Sequence, residues 1–122
     1  MTRPNNRTRY EAIWVTHTHW DREWYLSLER TRFRLVQFFD RLLKILKTEP
    51  EYHSFWLDGQ TIPLDDYLAV CPERREELVH WIQKGKIRIG PWYVLADEHL
   101  VSGEACIRNL LRGRRESARW GQ

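Results

Sequence analysis

Three polar side chains alternate at the start of the segment HTHWDREW: His17, His19 and Asp21. On an extended backbone a two-residue spacing sends all three to the same side. Imidazole and carboxylate together suit a borderline divalent ion such as Zn²⁺, and an i, i+2 pair can supply two ligands from one strand end. Short histidine-rich stretches also arise by chance, and structural histidines bonded to their neighbours satisfy the same spacing. A catalytic zinc takes three protein ligands and keeps a position open. Asp97, in the segment GPWYVLADE, is the candidate third ligand.

Aromatic rings accompany these groups: Trp20, Trp24, Trp92 and Tyr93. A pyranose can lay its C–H face on such a ring while its hydroxyls seek acceptors, so rings beside carboxylates suit a sugar site. They equally suit a filled core. Asp58 and Gln60, in LDGQ, could accept sugar hydroxyls, and Asp58-Gly59 could equally form only a turn. Trp24, Asp58, Trp92 and Tyr93 are thus the candidate substrate-binding residues.

Such groups meet only if the elements carrying them end together. The run AIWVT, Ala12 to Thr16, is short, apolar and β-branched, which predicts a buried strand. From Ser27 to Lys47 the apolar positions Leu28, Leu35, Phe38, Leu42, Ile45 and Leu46 follow helical spacing, and Pro50 stops the helix. A second strand is expected over His53 to Leu57 and a short helix over Leu64 to Val70. Pro72 opens a further helix, with Glu73, Glu76 and Glu77 near its positive end and Gly85 just past its close. The third strand, Lys86 to Ile89, is cut by Gly90-Pro91. Ser102 caps a last helix whose inward face is expected to be Ile107, Leu110, Leu111 and Ala118.

Strands alternating with helices predict an α/β fold with a parallel sheet. All three polar clusters follow strands directly, and in parallel α/β folds the carboxyl ends of the strands share the side where sites are built. Three strands are too few to close a barrel and leave two sheet edges unprotected. Either a partner covers those edges, as a second copy or a complementing fragment, or the native polypeptide continues.

Composition narrows the setting. The 122 residues make one small domain or a piece of a larger one, and seven Trp with four Phe give enough bulk for a core. No apolar run approaches a membrane span, and the basic leader MTRPNNRTRYEA runs into no signal-peptide apolar region. The default location is therefore the cytoplasm. Cys71 and Cys106 lack C-x-x-C spacing and read as ordinary thiols. The net charge of +3 includes Arg108, Arg112, Arg114, Arg115 and Arg119, which spread around a helix among Glu116 and Leu111. That is a solvated face, so neither nucleic acid nor membrane is an expected partner.

Four segments closely resemble the opening of glycoside hydrolase family 38 α-mannosidases, in the bacterial and cytosolic-type branch. They are H-T-H-W-D-R-E-W-Y from His17, L-D-G-Q with D-Y-L from Leu57, G-K-I-x-I-G-P-W-Y-V-L-x-D-E from Gly85, and V-S-G-E-x-x-I-R-N-L-L-x-G from Val101. The likeness runs from about Ile13 to the last residue. Residues 1–11 read by composition as a disordered polar leader, and the likeness implies, over 12–122, the first three βα units of a (β/α)7 barrel, the N-terminal portion of a catalytic domain left incomplete in this chain.

The resemblance also implies roles. His19, Asp21 and Asp97 would bind one Zn²⁺, Trp24 would pack under the sugar, and Asp97 would also be the nucleophile of a retaining α-mannosidase. Zinc would act more as a template gripping sugar hydroxyls than as a generator of hydroxide. His17 carries no role over. The family's fourth zinc ligand, a histidine, and its acid/base aspartate lie beyond this length, and none of His53, His80 or His99 stands in a matching context. Without an acid/base a rate factor of about a hundredfold to ten-thousandfold is missing, so little or no turnover of α-mannoside glycans is expected from this chain alone. Two other readings stay open. One is a metal-dependent deacetylase using Asp97 as base, and the other is a non-catalytic carbohydrate-binding remnant.

Overall fold

A computed structural model of the chain describes residues 10–122. Three short strands, β1 (Thr16–His17), β2 (Phe55–Trp56) and β3 (Ile87–Arg88), form a parallel sheet in the order β1-β2-β3. Thr16 pairs with Phe55 and Phe55 with Ile87; His17 pairs with Trp56 and Trp56 with Arg88. Between them run helices α1 (Leu28–Thr48), α2 (Ile62–Leu68) and α3 (Arg75–Gln83), the last entered through a 3₁₀ turn at Pro72–Arg74, and α4 (Gly103–Trp120) follows β3. The expected α/β order with a parallel sheet is present. Of the expected leader, residues 1–9 lie outside those described, and Tyr10 and Glu11 belong to no helix or strand.

The long helix forms where its spacing predicts. Leu35, Phe39, Leu42, Leu43 and Leu46 recur along one stripe of α1 and are all buried. The stripe meets Leu57, Leu64, Tyr67, Leu78, Ile82, Ile87 and Trp120 in one core. Full burial of a side chain such as Leu78 contributes about 1.5–3 kcal/mol. The rings of Phe39 and Tyr67 stack with centroids 4.5 Å apart, and the Tyr67 hydroxyl donates to Asp40 over 2.9 Å. Burial pushes the Tyr67 phenol pKa up, and the bond to Asp40 adds to the rise.

Successive strand residues point to opposite faces. Phe55 and Ile87 face the helices, while His17, Trp56 and Arg88, one register row, are exposed on the other face.

Two expectations fail. Ala12 to Thr16 does not form a buried strand: pairing begins only at Thr16, and Ile13 and Trp14 are 84% and 90% exposed. Nothing among the described residues pairs with the outer edge of β1 or covers that stretch. The inward face of α4 also differs from Ile107, Leu110, Leu111 and Ala118. Its buried residues are Gly113, Ser117 and Trp120, with Leu110 half-buried, while Ile107, Leu111 and Ala118 are exposed. Close backbone approach decides this packing. A Cβ on Gly113 would lie 2.2 Å from the carbonyl oxygen of Pro91 and from the carbonyl carbon of Trp92. Only the small residue lets the helix backbone rest on the segment after β3.

Candidate active site

The parallel register puts the segments after β1, β2 and β3 at one sheet end, and side chains then tie them together. Asp58 and Gly59 both take positive φ, 49° and 71°, so LDGQ turns sharply back over that end. The Asp58 carboxylate lies 3.2 Å from Nδ1 of His19 and accepts from the Trp20 backbone N–H at 3.4 Å. Nε2 of His19 lies 3.5 Å from Asp21. His19 thus stands between two carboxylates, 68% exposed, with Asp58 the more covered of the two at 17% against 42% for Asp21.

A cleft of about 200 Å³ beside this cluster is lined by His19, Trp20, Asp21, Trp24, Tyr25 and Arg34, among others. Trp24 is 69% exposed, so its ring is available to a ligand. His17 is exposed, with its ring nitrogen Nδ1 2.7 Å from the Thr18 carbonyl.

The residues after β3 divide. Trp92 is half-buried and continues the parallel pairing, with its backbone N–H donating to the Gly59 carbonyl at 2.9 Å and a bridge to Gln60. Tyr93 lies beneath the Arg112 guanidinium, 3.6 Å above the ring centroid, and lines a second cavity of about 330 Å³ with Cys106 and Asn109. Burial raises the Tyr93 pKa, and the neighbouring Asp65 raises it further. Asp65 is itself pushed up, by burial first and then by Glu116. Asp97 is exposed and accepts the His99 backbone N–H at 3.2 Å.

Imidazole and carboxylate at His19 and Asp21 fit two positions of a zinc ion in kind. Asp97 stands outside that cluster, and among the described residues no three His, Cys, Asp or Glu side chains are grouped to hold a metal.

Four positioning side chains carried no role in the sequence reading. Arg22, inside HTHWDREW, donates through Nε to the buried Asp66 of α2 at 2.7 Å, and Arg32 of α1 donates to the same carboxylate at 3.2 Å. The hydrogen bond to Asp66 raises the Arg22 pKa. Asn109 of α4 accepts from the Val94 N–H at 3.0 Å and donates to the Val94 carbonyl at 2.6 Å. The D-Y-L segment holds Asp66 and the I-R-N-L-L-x-G segment holds Asn109. Gln60 was read as a hydroxyl acceptor; it is fully buried and cannot reach solvent or a sugar.

No helix among the described residues is long and apolar enough to cross a membrane. Cys71 and Cys106 are free, half-buried thiols, and burial raises the pKa of Cys71.

The chain is 48% identical over 108 residues to a Halalkalibacterium halodurans protein provisionally named mannosylglycerate hydrolase, a match covering 88% of this chain and 12% of the relative. The crystal structure of an α-mannosidase from Enterococcus faecalis superposes with a TM-score of 0.85 at 50% identity, over 88% of this chain and 12% of that one. A second structure from the same organism, a protein in glycosyl hydrolase family 38, gives a TM-score of 0.81 at 47% identity with the same coverage. The chain therefore spans about an eighth of the length of these relatives. Residues 9–118 match the N-terminal domain of glycosyl hydrolases family 38, and the chain belongs to that family of enzymes.

Proposed function

We propose that this chain forms the first three βα units of a (β/α)7 barrel in a retaining, zinc-dependent α-mannosidase. The observation that carries the reading is the convergence of His19, Asp21, Asp58 and Trp24 around one strand-end cleft. The sheet supports the barrel. Open doubly wound sheets are covered on both faces, whereas here helices cover one face and the row His17, Trp56 and Arg88 stays open, as a barrel wall would.

In this reading His19 and Asp21 would hold the zinc, with Asp97 brought in from the segment after β3, and the ion would supply a Lewis-acidic grip on sugar hydroxyls. Trp24 takes the C–H face of the mannose, and Asp58, Trp92 and Tyr93 border the sugar. Asp97 attacks the anomeric carbon as the glycosidic bond breaks, giving a glycosyl ester that water then cleaves with net retention. The leaving oxygen must receive a proton from an acid outside these residues. A smaller, acidic α-mannoside is the second substrate reading, favoured by the 48% identity to the protein named for mannosylglycerate.

A chimera tests the proposal: residues 9–118 replace the matching segment of the Enterococcus α-mannosidase. The expected result is zinc-dependent hydrolysis of an aryl α-mannoside with α-mannose as first product, abolished by Asp97→Asn. A β-configured first product, or full activity in Asp97→Asn, would overturn it. Mannosylglycerate beside mannobiose in the same assay separates the two substrate readings. The 122-residue chain alone is expected to show essentially no turnover.

A further inference from the structure

Gln60 has no solvent exposure, yet both ends of its side-chain amide are used. Nε2 donates to the Trp20 carbonyl at 2.8 Å, and Oε1 accepts from the Leu95 backbone N–H at 3.1 Å. Trp20 lies between His19 and Asp21, and Leu95 lies two residues before Asp97. We infer that Gln60 is a positioning residue whose amide fixes the spacing between the segment carrying His19 and Asp21 and the segment carrying Asp97.

The partners leave one residue type that fits. A carbonyl demands a donor and an N–H demands an acceptor, so the amide has a single satisfied orientation. Glutamate of the same length could accept from Leu95, but its second oxygen would oppose the Trp20 carbonyl. Methionine fills the volume and satisfies neither, leaving two buried backbone groups unpaired. The LDGQ turn strengthens the grip, because Asp58 accepts from the N–H of the same Trp20 whose carbonyl Gln60 holds. One turn thus fastens both backbone groups of the residue separating two candidate ligands. The third segment is held at its other side by Asn109 on Val94, and the Gln60 side chain bridges the first segment to the third.

The inference rests on the ligand roles given under the proposed function, and the test separates the two. Gln60→Met and Gln60→Glu are compared with the unaltered chain and with Leu78→Ala, a core variant in α3 that takes no part in the amide bridge. Amide hydrogen exchange is read at Leu95, and cobalt(II) is titrated as a spectroscopic substitute for zinc. The expected result is faster exchange at Leu95 in both Gln60 variants, beyond any change shared by the amides of α3. Cobalt affinity falls about tenfold to hundredfold with an altered visible spectrum, the usual effect of losing a residue that orients ligands. Leu78→Ala loses thermal stability and keeps the spectrum. Unchanged exchange at Leu95, or equal loss of cobalt affinity in Leu78→Ala, would overturn the inference. If the unaltered chain takes up no cobalt, exchange at Leu95 alone decides the role of Gln60, and the zinc dependence of the chimera decides the zinc assignment.

Discussion

Arg22 and Asp66, 44 residues apart in sequence, meet in a two-point contact: Nε to Oδ2 at 2.7 Å and Nη2 to Oδ1 at 3.1 Å. Asp66 is only 4% exposed and also receives Arg32, so one α2 carboxylate joins the loop after β1 to α1. A carboxylate this covered needs cationic partners, and the two arginines, about a quarter and a third exposed, keep some water. Asp66→Ala removes both contacts and is expected to cost about 3 kcal/mol. Arg22→Ala leaves Arg32 in place and costs about 1–2 kcal/mol. Chemical denaturation measures both, and a double-mutant cycle with Arg32→Ala gives the coupling. Equal losses from Asp66→Ala and Arg22→Ala would show that Arg32 adds nothing.

Asn109 grips Val94 through both backbone groups, in the manner of a paired strand. Leucine at that position keeps the size and loses both bonds, leaving a half-buried N–H and carbonyl. Asn109→Leu is expected to destabilise by about 2 kcal/mol and to speed amide exchange at Val94. Exchange at Val94 no faster than in the unaltered chain would mean that the contact is dispensable.

Much of the fold is legible in the sequence because it follows from local spacing. The stripe on α1, the proline opening and glycine ending of α3, and the Ser102 cap, which accepts the Ala105 N–H at 3.2 Å, all depend on nearby residues. The inward face of α4 depends instead on Gly113 and Ser117, whose small size matters only against Gly90–Tyr93. Hydropathy spacing favours Ile107 and Leu111, which the three-unit fold leaves exposed. In the site, the strand-end placement of His19, Asp21 and Asp58 was readable from element order. The work of Gln60 was not, because a buried amide and a sugar-binding amide look alike until backbone partners come from two other segments.

Gly113 and Gly103 sit in the same helix and should respond oppositely to alanine. A Cβ at Gly113 meets backbone atoms at 2.2–2.3 Å, and backbone cannot swing aside as a side chain can. The helix-propensity gain of about 1 kcal/mol is smaller than the cost of forcing α4 off the segment. Gly113→Ala is therefore expected to lower the melting temperature. Gly103 meets nothing within 4 Å, so Gly103→Ala is expected to be neutral or to stabilise by up to about 1 kcal/mol. A calorimetric scan of each variant checks the pair. A melting temperature for Gly113→Ala at or above that of the unaltered chain would remove close approach as the cause of the α4 orientation.

Tyr67 and Tyr93 are expected to lower stability as pH rises into the alkaline range. Burial raises both phenol pKa values, with Asp40 reinforcing Tyr67 and Asp65 reinforcing Tyr93. The folded chain thus holds these protons more tightly than the unfolded chain, whose tyrosines titrate near the ordinary value of about 10. Below that value the contribution is fully present. As pH rises past it the unfolded state binds fewer protons, and stability falls until the folded-state pKa is passed. Tyr67→Phe removes the larger of the two shifts. It forfeits the bond to Asp40, about 1 kcal/mol at neutral pH, and should flatten the decline above pH of about 10. Denaturation midpoints across that range, alongside ultraviolet absorbance of the phenolates, measure the slope. An equally steep decline in Tyr67→Phe would mean that Tyr67 is not the group whose ionisation opens the core.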